Sequence, residues 1–280
     1  NTKAIFGETL SNPSLRVADI EKLASVAHKH NIPLIIDNTF PTPINCRPFE
    51  FGADIIVHST SKYMDGHAVA LGGAVVDSGK FDWKASGKFP MLCEPDESYH
   101  GTVFADKFGP AAFIAKARCH IMRDCGMQQS PQNAFLLNLG LETLALRMER
   151  HSQNGLSMAE YLSQHEKVAW VDYPGLKDNK DYPLAQKYLG GKCSGVVSFG
   201  VKGGKAAAVK LMESLKLTAL VIHVADARTS ALHPASTTHR QLTDEQLYEA
   251  GVKPEMIRLS VGIENIDDIK ADFEQALAKI

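Results

Sequence analysis

Asn31-Ile32-Pro33-Leu34-Ile35-Ile36-Asp37 is the run that most constrains the architecture of this chain. A short apolar run bounded by a turn signal is typical of a strand buried on both faces of a parallel sheet. The next apolar run, residues 53–57, has the same character and leads into a polar cluster. Because open parallel sheets place ligands at the carboxyl ends of their strands, we expect Asp37 and this polar cluster to lie in one crevice.

The polar cluster reads His58-Ser59-Thr60-Ser61-Lys62-Tyr63-Met64-Asp65-Gly66-His67. Its lysine, Lys62, is a candidate for holding pyridoxal phosphate as a Schiff base, because burial and a nearby cation make a lysine amine nucleophilic near neutral pH. A solvated loop lysine is the alternative, and Lys62 taken alone would favour it. The buried strand before it and the carboxylate of Asp37 on a neighbouring or nearby strand favour the cofactor site instead.

Three further side chains suit that cofactor. A carboxylate against the pyridine nitrogen keeps the nitrogen protonated, and Asp37 is placed to do this. The hydroxyls of Ser59 and Ser61 are two residues apart and can donate to the phosphate together with free backbone N–H groups. An ordinary polar turn explains either serine equally well when it is taken alone.

The composition argues against several classes of protein. The 280 residues, 44% of them hydrophobic, can bury a substantial core, and this length indicates roughly two domains. A net charge of −2 without a basic block argues against a nucleic-acid partner, and the lack of a long apolar span argues against a membrane partner. The five irregularly spaced cysteines are typical of reduced thiols in a cytoplasmic protein and predict neither a disulfide frame nor a metal site.

Apolar periodicity predicts an α/β fold with a mainly parallel sheet and flanking helices. Besides the two runs above, we expect strands at residues 3–9, 68–77, 168–173, 195–201 and 256–261, and helices at residues 17–30, 205–215 and 266–278. A long helix at about 133–164 is expected to join a large domain, residues 1–145, to a smaller C-terminal α/β domain, residues 146–280. A core helix of one lobe is the alternative. The chain starts without Met, at or inside a predicted strand, so we expect an N-terminal part to be missing.

Longer motifs resemble those of one family, the fold-type I, pyridoxal-phosphate-dependent enzymes of Cys/Met metabolism. The resemblance covers essentially the whole chain. Its motifs are Glu8-Thr9-Leu10-Ser11-Asn12-Pro13, Ile35-Ile36-Asp37-Asn38-Thr39-Phe40, His58-Ser59-Thr60-Ser61-Lys62, residues 72–83, residues 140–147, His233-Pro234-Ala235-Ser236-Thr237-Thr238-His239 and Arg258-Leu259-Ser260-Val261-Gly262-Ile263-Glu264.

The resemblance implies a role for each site residue. Lys62 would hold the cofactor, Asp37 would contact the pyridinium nitrogen, and Ser59 and Ser61 would bind the phosphate. Arg258 would bind the substrate α-carboxylate through two parallel hydrogen bonds, although a strand arginine also forms structural ion pairs.

A further implied contact comes from Asn12, which would approach the phenolic oxygen of the cofactor or the substrate carboxylate. An Asn-Pro pair is also an ordinary turn, and that alternative stays open.

The implied activity is a γ-replacement in methionine biosynthesis, in which O-acetylhomoserine and sulfide or a thiol give homocysteine or methionine and acetate. The resemblance also implies a homo-oligomer, a tetramer. Cystathionine γ-synthase and methionine γ-lyase activities stay open, because pocket shape and the admitted nucleophile separate them. A catalytically silent scaffold is a further alternative, against which the presence of Asp37, Lys62 and Arg258 weighs.

The sequence departs from the family pattern in two places. His223-Val224-Ala225 stands where members often have Asn or Ser, any residue and then Gly, so the contacts made there are open. The family's N-terminal part, with a ring-stacking tyrosine, a phosphate loop and contacts across a subunit interface, has no counterpart in these residues.

Overall fold

The structure, a computed structural model, describes residues 1–249 and 251–280. Nine strands in these residues form two sheets. All strands of the first sheet precede those of the second sheet in the sequence. The strands are β1 Ile5–Glu8, β2 Leu34–Asp37, β3 Ile55–Ser59, β4 Gly73–Asp77, β5 Val168–Asp172, β6 Val196–Val201, β7 Ala219–Leu220, β8 Ser230–Leu232 and β9 Met256–Ser260.

The first sheet has the order β1-β2-β3-β4 and is mainly parallel, as predicted. β1 pairs with β2 and β2 with β3 in parallel, whereas β4 runs antiparallel to β3. The strand predicted over residues 68–77 is shorter than expected. Its first half is irregular because Ala68 has a φ of +56°, which no strand residue adopts.

The second sheet has the order β5-β6-β9-β8-β7. Its pairings are antiparallel except for the parallel pair of β7 and β8. β6, β9 and β8 are the interior strands, and all of their residues are buried. Apolar periodicity could not give this strand order, because β7 and β8 are too short to show a pattern.

Helices pack on both sheets, α1 on β2 and α9 on β5 and β6, and α1 follows the predicted strand–helix–strand pattern with Asp19 as its N-cap. A π-helical segment, Ala117–Met122, separates α6 from α7. The α-helices of the described residues are α1 Ile20–Lys29, α2 Thr42–Asn45, α3 Trp83–Ser86, α4 Pro90–Cys93, α5 Phe104–Phe108, α6 Ala112–Lys116, α7 Arg123–Cys125, α8 Pro131–Glu142, α9 Leu144–Gln164, α10 Tyr182–Leu189, α11 Gly204–Ser214, α12 Asp244–Glu249 and α13 Ile266–Leu277. None of the helices in the described residues is both long and apolar enough to cross a membrane.

The single helix predicted over residues 133–164 is divided at Thr143 into α8 and α9. The carbonyl oxygen of Gly140 accepts from the side chains of Thr143 at 3.4 Å and Arg147 at 2.6 Å. These side-chain donors replace the backbone bond that would continue α8. The apolar spacing runs through the break, so the sequence pattern does not reveal it.

One hydrophobic cluster connects the two sheets. Leu34 and Ile36 of β2 and Val196 of β6 belong to it, together with Met158 of α9, and all four are fully buried. Each such side chain contributes about 1.5–3 kcal/mol through removal from water. The division into domains 1–145 and 146–280 stays a prediction, and the first sheet precedes that boundary while the second follows it.

Candidate active site

Asp37 is the last residue of β2, and it lies opposite Val57 of the neighbouring parallel strand β3. Thr39 connects the ends of these two strands. Its amide donates to Asp37 Oδ1 at 2.9 Å, and its hydroxyl accepts from the Ser59 amide at 2.8 Å. Asp37 and the start of the polar cluster therefore lie at the same edge of the first sheet.

The polar turn that carries Lys62 is closed by a hydrogen bond from Gly66 N to Lys62 O at 2.8 Å. Gly66 has a φ of +73°, and a Cβ at this position would lie 2.1 Å from Arg147 Nη1. The Arg147 guanidinium fills this space and donates to the carbonyl oxygens of Tyr63 at 2.6 Å and Met64 at 3.3 Å. Arg147 therefore fixes the shape of the turn, a role that sequence reasoning did not assign to it.

The Lys62 amine is partly buried at this edge. Burial lowers the pKa of Lys62, and the nearby positive charge of Arg258 lowers it further. A lowered pKa increases the fraction of neutral amine near neutral pH, which is the form that attacks a carbonyl carbon. The structure thus brings Lys62 of the first sheet and Arg258 of the second sheet into one site.

Arg258 lies on β9 and is only 8% exposed. Its Nη1 donates to Asn12 Oδ1 at 3.3 Å and its Nη2 to Ile222 O at 2.8 Å, whereas its buried Nε has no acceptor in the described residues. Burial lowers the pKa of Arg258, and no acidic side chain of residues 1–249 or 251–280 opposes this. The structural ion pair considered above is therefore not found there, and a buried cation of this kind suits an anionic ligand.

Asn12 is held at this site by a contact with β6, the strand that pairs with β9. Ser198 of β6 is paired with Arg258, so the two side chains point to the same face of the sheet. The Ser198 hydroxyl donates to Pro13 O at 2.6 Å and so holds the Asn12-Pro13 turn beside the guanidinium. Asn12 itself is exposed.

The two predicted phosphate ligands differ in their surroundings. The Ser61 hydroxyl is engaged by one residue, since it accepts from Gly72 N at 3.0 Å and donates to Gly72 O at 3.3 Å. The Ser59 hydroxyl has no hydrogen-bond partner among the residues that the structure describes. A Cβ on Gly72 would lie 2.7 Å from Thr60 Oγ1, so the absence of a side chain here allows the two segments to pack closely. That both serines bind one phosphate stays a prediction.

A groove of about 1390 Å³ lies beside this site and not around Lys62. Trp83, Phe89 and Met91 line it on one side, and Leu71 and Gly73 line it next to the polar turn. Across residues 1–249 and 251–280, no cluster of three or more His, Cys, Asp or Glu side chains has the arrangement of a metal site.

Comparisons with known proteins agree with this geometry. Residues 1–278 match the model of a family described as Cys/Met metabolism PLP-dependent enzymes. A homocysteine synthase of Schizosaccharomyces pombe is 49% identical over 99% of this chain, and an O-acetyl-L-homoserine sulfhydrylase of Leptospira meyeri is 47% identical over all of it. The chain spans 65% of the length of each of these relatives.

A solved structure from Campylobacter jejuni has the same fold. Its protein is provisionally assigned as an O-acetylhomoserine (thiol)-lyase and carries N'-pyridoxyl-lysine-5'-monophosphate. The TM-score is 0.93 and the sequences are 42% identical, with 99% of this chain and 66% of that chain covered. The prediction of a fold-type I architecture is confirmed by this match.

Proposed function

Because this chain belongs to the family of Cys/Met metabolism PLP-dependent enzymes, we propose that it catalyses a γ-replacement on O-acetylhomoserine with pyridoxal phosphate as its cofactor. The Cγ–O bond of the substrate breaks and releases acetate, and a Cγ–S bond to sulfide or a thiol forms. The product is homocysteine, or methionine when the thiol is methanethiol. The names of the two relatives above, a homocysteine synthase and a sulfhydrylase, support this reaction.

The residues present fit the cofactor. Asp37 keeps one carboxylate oxygen without a partner among the described residues, while Thr39 N holds the other. Lys62 offers an amine whose pKa is lowered by burial and by Arg258. Bound pyridoxal phosphate would supply an electron sink for the charge that develops when a proton leaves Cα.

Each side chain has a defined task in this proposal. Lys62 would bind the cofactor through its amine, and the freed amine would then move protons at Cα and Cβ of the substrate. Asp37 would hold the proton on the ring nitrogen. Ser59 and Ser61 would donate to the phosphate, which requires Ser61 to exchange its contact with Gly72 for one with the cofactor.

Substrate orientation would depend on Arg258 and Asn12. Arg258 would bind the α-carboxylate, the anion that this buried guanidinium lacks among the described residues. Asn12 accepts from Arg258 Nη1 at 3.3 Å and would keep the guanidinium facing the substrate. The observation that carries the proposal is the proximity of Lys62 and Arg258, because it joins the cofactor end and the carboxylate end of one amino-acid site.

One assay tests the reaction. The full-length protein is incubated with pyridoxal phosphate, O-acetylhomoserine and sulfide, and homocysteine and acetate are quantified. We expect the two products in equal amounts. Parallel reactions replace sulfide with cysteine, or supply methionine alone. Preferential formation of cystathionine, or of methanethiol from methionine, would contradict the proposal and assign one of the related activities.

We also propose that the protein is a cytoplasmic homotetramer. Its five cysteines are all free, which agrees with a reducing compartment. Leu71 and Met91 are 79% and 64% exposed at the rim of the apolar groove, and exposed apolar patches of this kind are typical of interaction surfaces. Light scattering of the full-length protein tests the tetramer.

A further inference from the structure

His223 is a titratable group next to the candidate site that the proposed mechanism does not use. Its Nε2 is buried and has no hydrogen-bond partner among the residues that the structure describes, although the residue as a whole is partly exposed. His233, by contrast, uses both ring nitrogens, on Ser236 Oγ and Pro254 O, each at 2.8 Å. Such a nitrogen is free to bind a ligand or a water molecule or to take part in proton transfer.

The segment around His223 is hydrogen-bonded to the site on two sides. On the β9 side, Ile222 O accepts from Arg258 Nη2 at 2.8 Å, and Ala225 N donates to Ser260 Oγ at 2.8 Å. On the Lys62 side, Ala227 N donates to Gly66 O at 2.8 Å. His223 is thus held between the strand of Arg258 and the turn of Lys62.

The charges around His223 agree with this position. Burial lowers the pKa of its imidazole, and among the charged groups the Lys62 ammonium is the strongest influence and lowers it further. Arg228 acts in the same direction, whereas Asp226 and Asp65 act in the opposite direction. His223 is therefore neutral near pH 7 and able to accept a proton.

From this geometry we propose that His223 is a proton-transfer residue that connects the Lys62 amine with solvent. A proton leaves Lys62 Nζ and reaches His223 Nε2 through one water molecule, since the two nitrogens are not hydrogen-bonded to each other. The imidazolium then releases the proton on Nδ1 to solvent water. The Lys62 ammonium becomes a neutral amine, the imidazole of His223 is neutral again, and one proton has passed to solvent. This inference rests on the proposed function, because only an enzyme that moves protons with Lys62 needs such a connection.

The first test does not depend on activity. The imidazole signals of the full-length protein, labelled with carbon-13 histidine and free of cofactor, are titrated by NMR, and His223 is identified by the signal missing in His223→Asn. We expect the pKa of His223 to lie below the ordinary histidine value and to rise in Lys62→Ala. His233 is the internal control and should titrate alike in both proteins. An unchanged His223 pKa in Lys62→Ala would overturn the proposal.

The second test uses the holoenzyme. His223→Ala should lower kcat on the order of 10²-fold with little change in KM, and added imidazole should restore part of the loss. His100→Ala, at an exposed position, is the matched control. A loss that imidazole does not restore, or wild-type kcat, would overturn the proton-transfer role. If the wild-type enzyme makes no homocysteine, the proposed function fails, while the NMR titration still decides whether His223 faces Lys62.

Discussion

Arg258 on β9 lies close enough to Lys62, in the turn after β3, for its positive charge to lower the pKa of the lysine amine. Neither residue has an acidic partner among the residues that the structure describes. Two cations held together in this way leave a site that attracts anions, here the phosphate and the carboxylate of an amino-acid reaction.

Asp37→Asn should weaken cofactor binding and slow the removal of the Cα proton on the order of 10²-fold or more, because a neutral amide does not keep the ring nitrogen protonated. Exchange of the substrate α-proton with deuterium from solvent, followed by NMR, measures this step. Asp77→Asn is the matched control, since Asp77 also ends a strand and also accepts from the amide two residues on, at 3.0 Å, but at the opposite edge of the sheet. Exchange at the wild-type rate in Asp37→Asn would exclude the assigned role.

Arg258→Lys should damage substrate use far more than cofactor binding. A lysine cannot form two parallel hydrogen bonds with a carboxylate, so we expect kcat/KM to fall by an amount equivalent to about 2–4 kcal/mol. The visible absorbance of bound cofactor should stay nearly constant. Arg228→Lys, at an arginine whose side chain is 72% exposed, is the control and should cost under about 1 kcal/mol. An equally small effect of Arg258→Lys would show that Arg258 does not bind the substrate.

Gly66→Ala should destabilise the fold by about 2–4 kcal/mol. The left-handed backbone costs a side chain about 1–2 kcal/mol, and the new methyl group would displace the Arg147 guanidinium from its carbonyl acceptors. Urea denaturation measures the free energy of unfolding. Gly87→Ala is the matched control, because Gly87 has a φ of +65° but has no atom within 4 Å of an added Cβ. Equal losses in the two variants would mean that Arg147 does not support the Lys62 turn.

Stability should fall between pH 7 and pH 5 by about 2 kcal/mol on account of His151. Burial lowers the pKa of His151 to about 4 from an ordinary value of 6.5, so the unfolded chain binds a proton in this range that the folded chain does not. The stabilisation is present above the unfolded pKa, is lost as pH falls and stops changing below about pH 4. The free energy of unfolding of His151→Gln should lose this pH dependence, whereas His100→Gln should keep it. Identical pH profiles for His151→Gln and the wild type would contradict the assignment.

Local signals in the sequence predicted Asp37 and Lys62, because Asp37 ends one buried strand, Lys62 follows another, and the two strands pair in parallel. The contact of Thr39 with Asp37 could have been predicted, because a residue two positions after an aspartate often donates its amide to that carboxylate. Arg258 was assigned by resemblance alone. Its contact with Lys62 depends on how the two sheets pack, and apolar periodicity carries no information about that packing.

Arg147 and the break at Thr143 were missed for a related reason. The apolar spacing of α8 and α9 continues through Thr143, and Arg147 reads as an ordinary polar position of a helix. The role of Arg147 is visible only in the tertiary structure, where Gly140 packs on the Lys62 turn. A Cβ on Gly140 would lie 2.5 Å from Met64 O. Tertiary contacts of this kind have no counterpart in a helical pattern.

Chemical trapping with borohydride identifies the lysine that holds the cofactor, which we propose to be Lys62. The full-length protein is loaded with pyridoxal phosphate, reduced with borohydride and digested, and the labelled peptide is sequenced by mass spectrometry. We predict one pyridoxyl group per chain, on Lys62. Lys62→Ala should keep the fold, as judged by circular dichroism, but lose the label and homocysteine formation. A label on another lysine of the wild type, or undiminished turnover in Lys62→Ala, would exclude Lys62 as the residue that holds the cofactor.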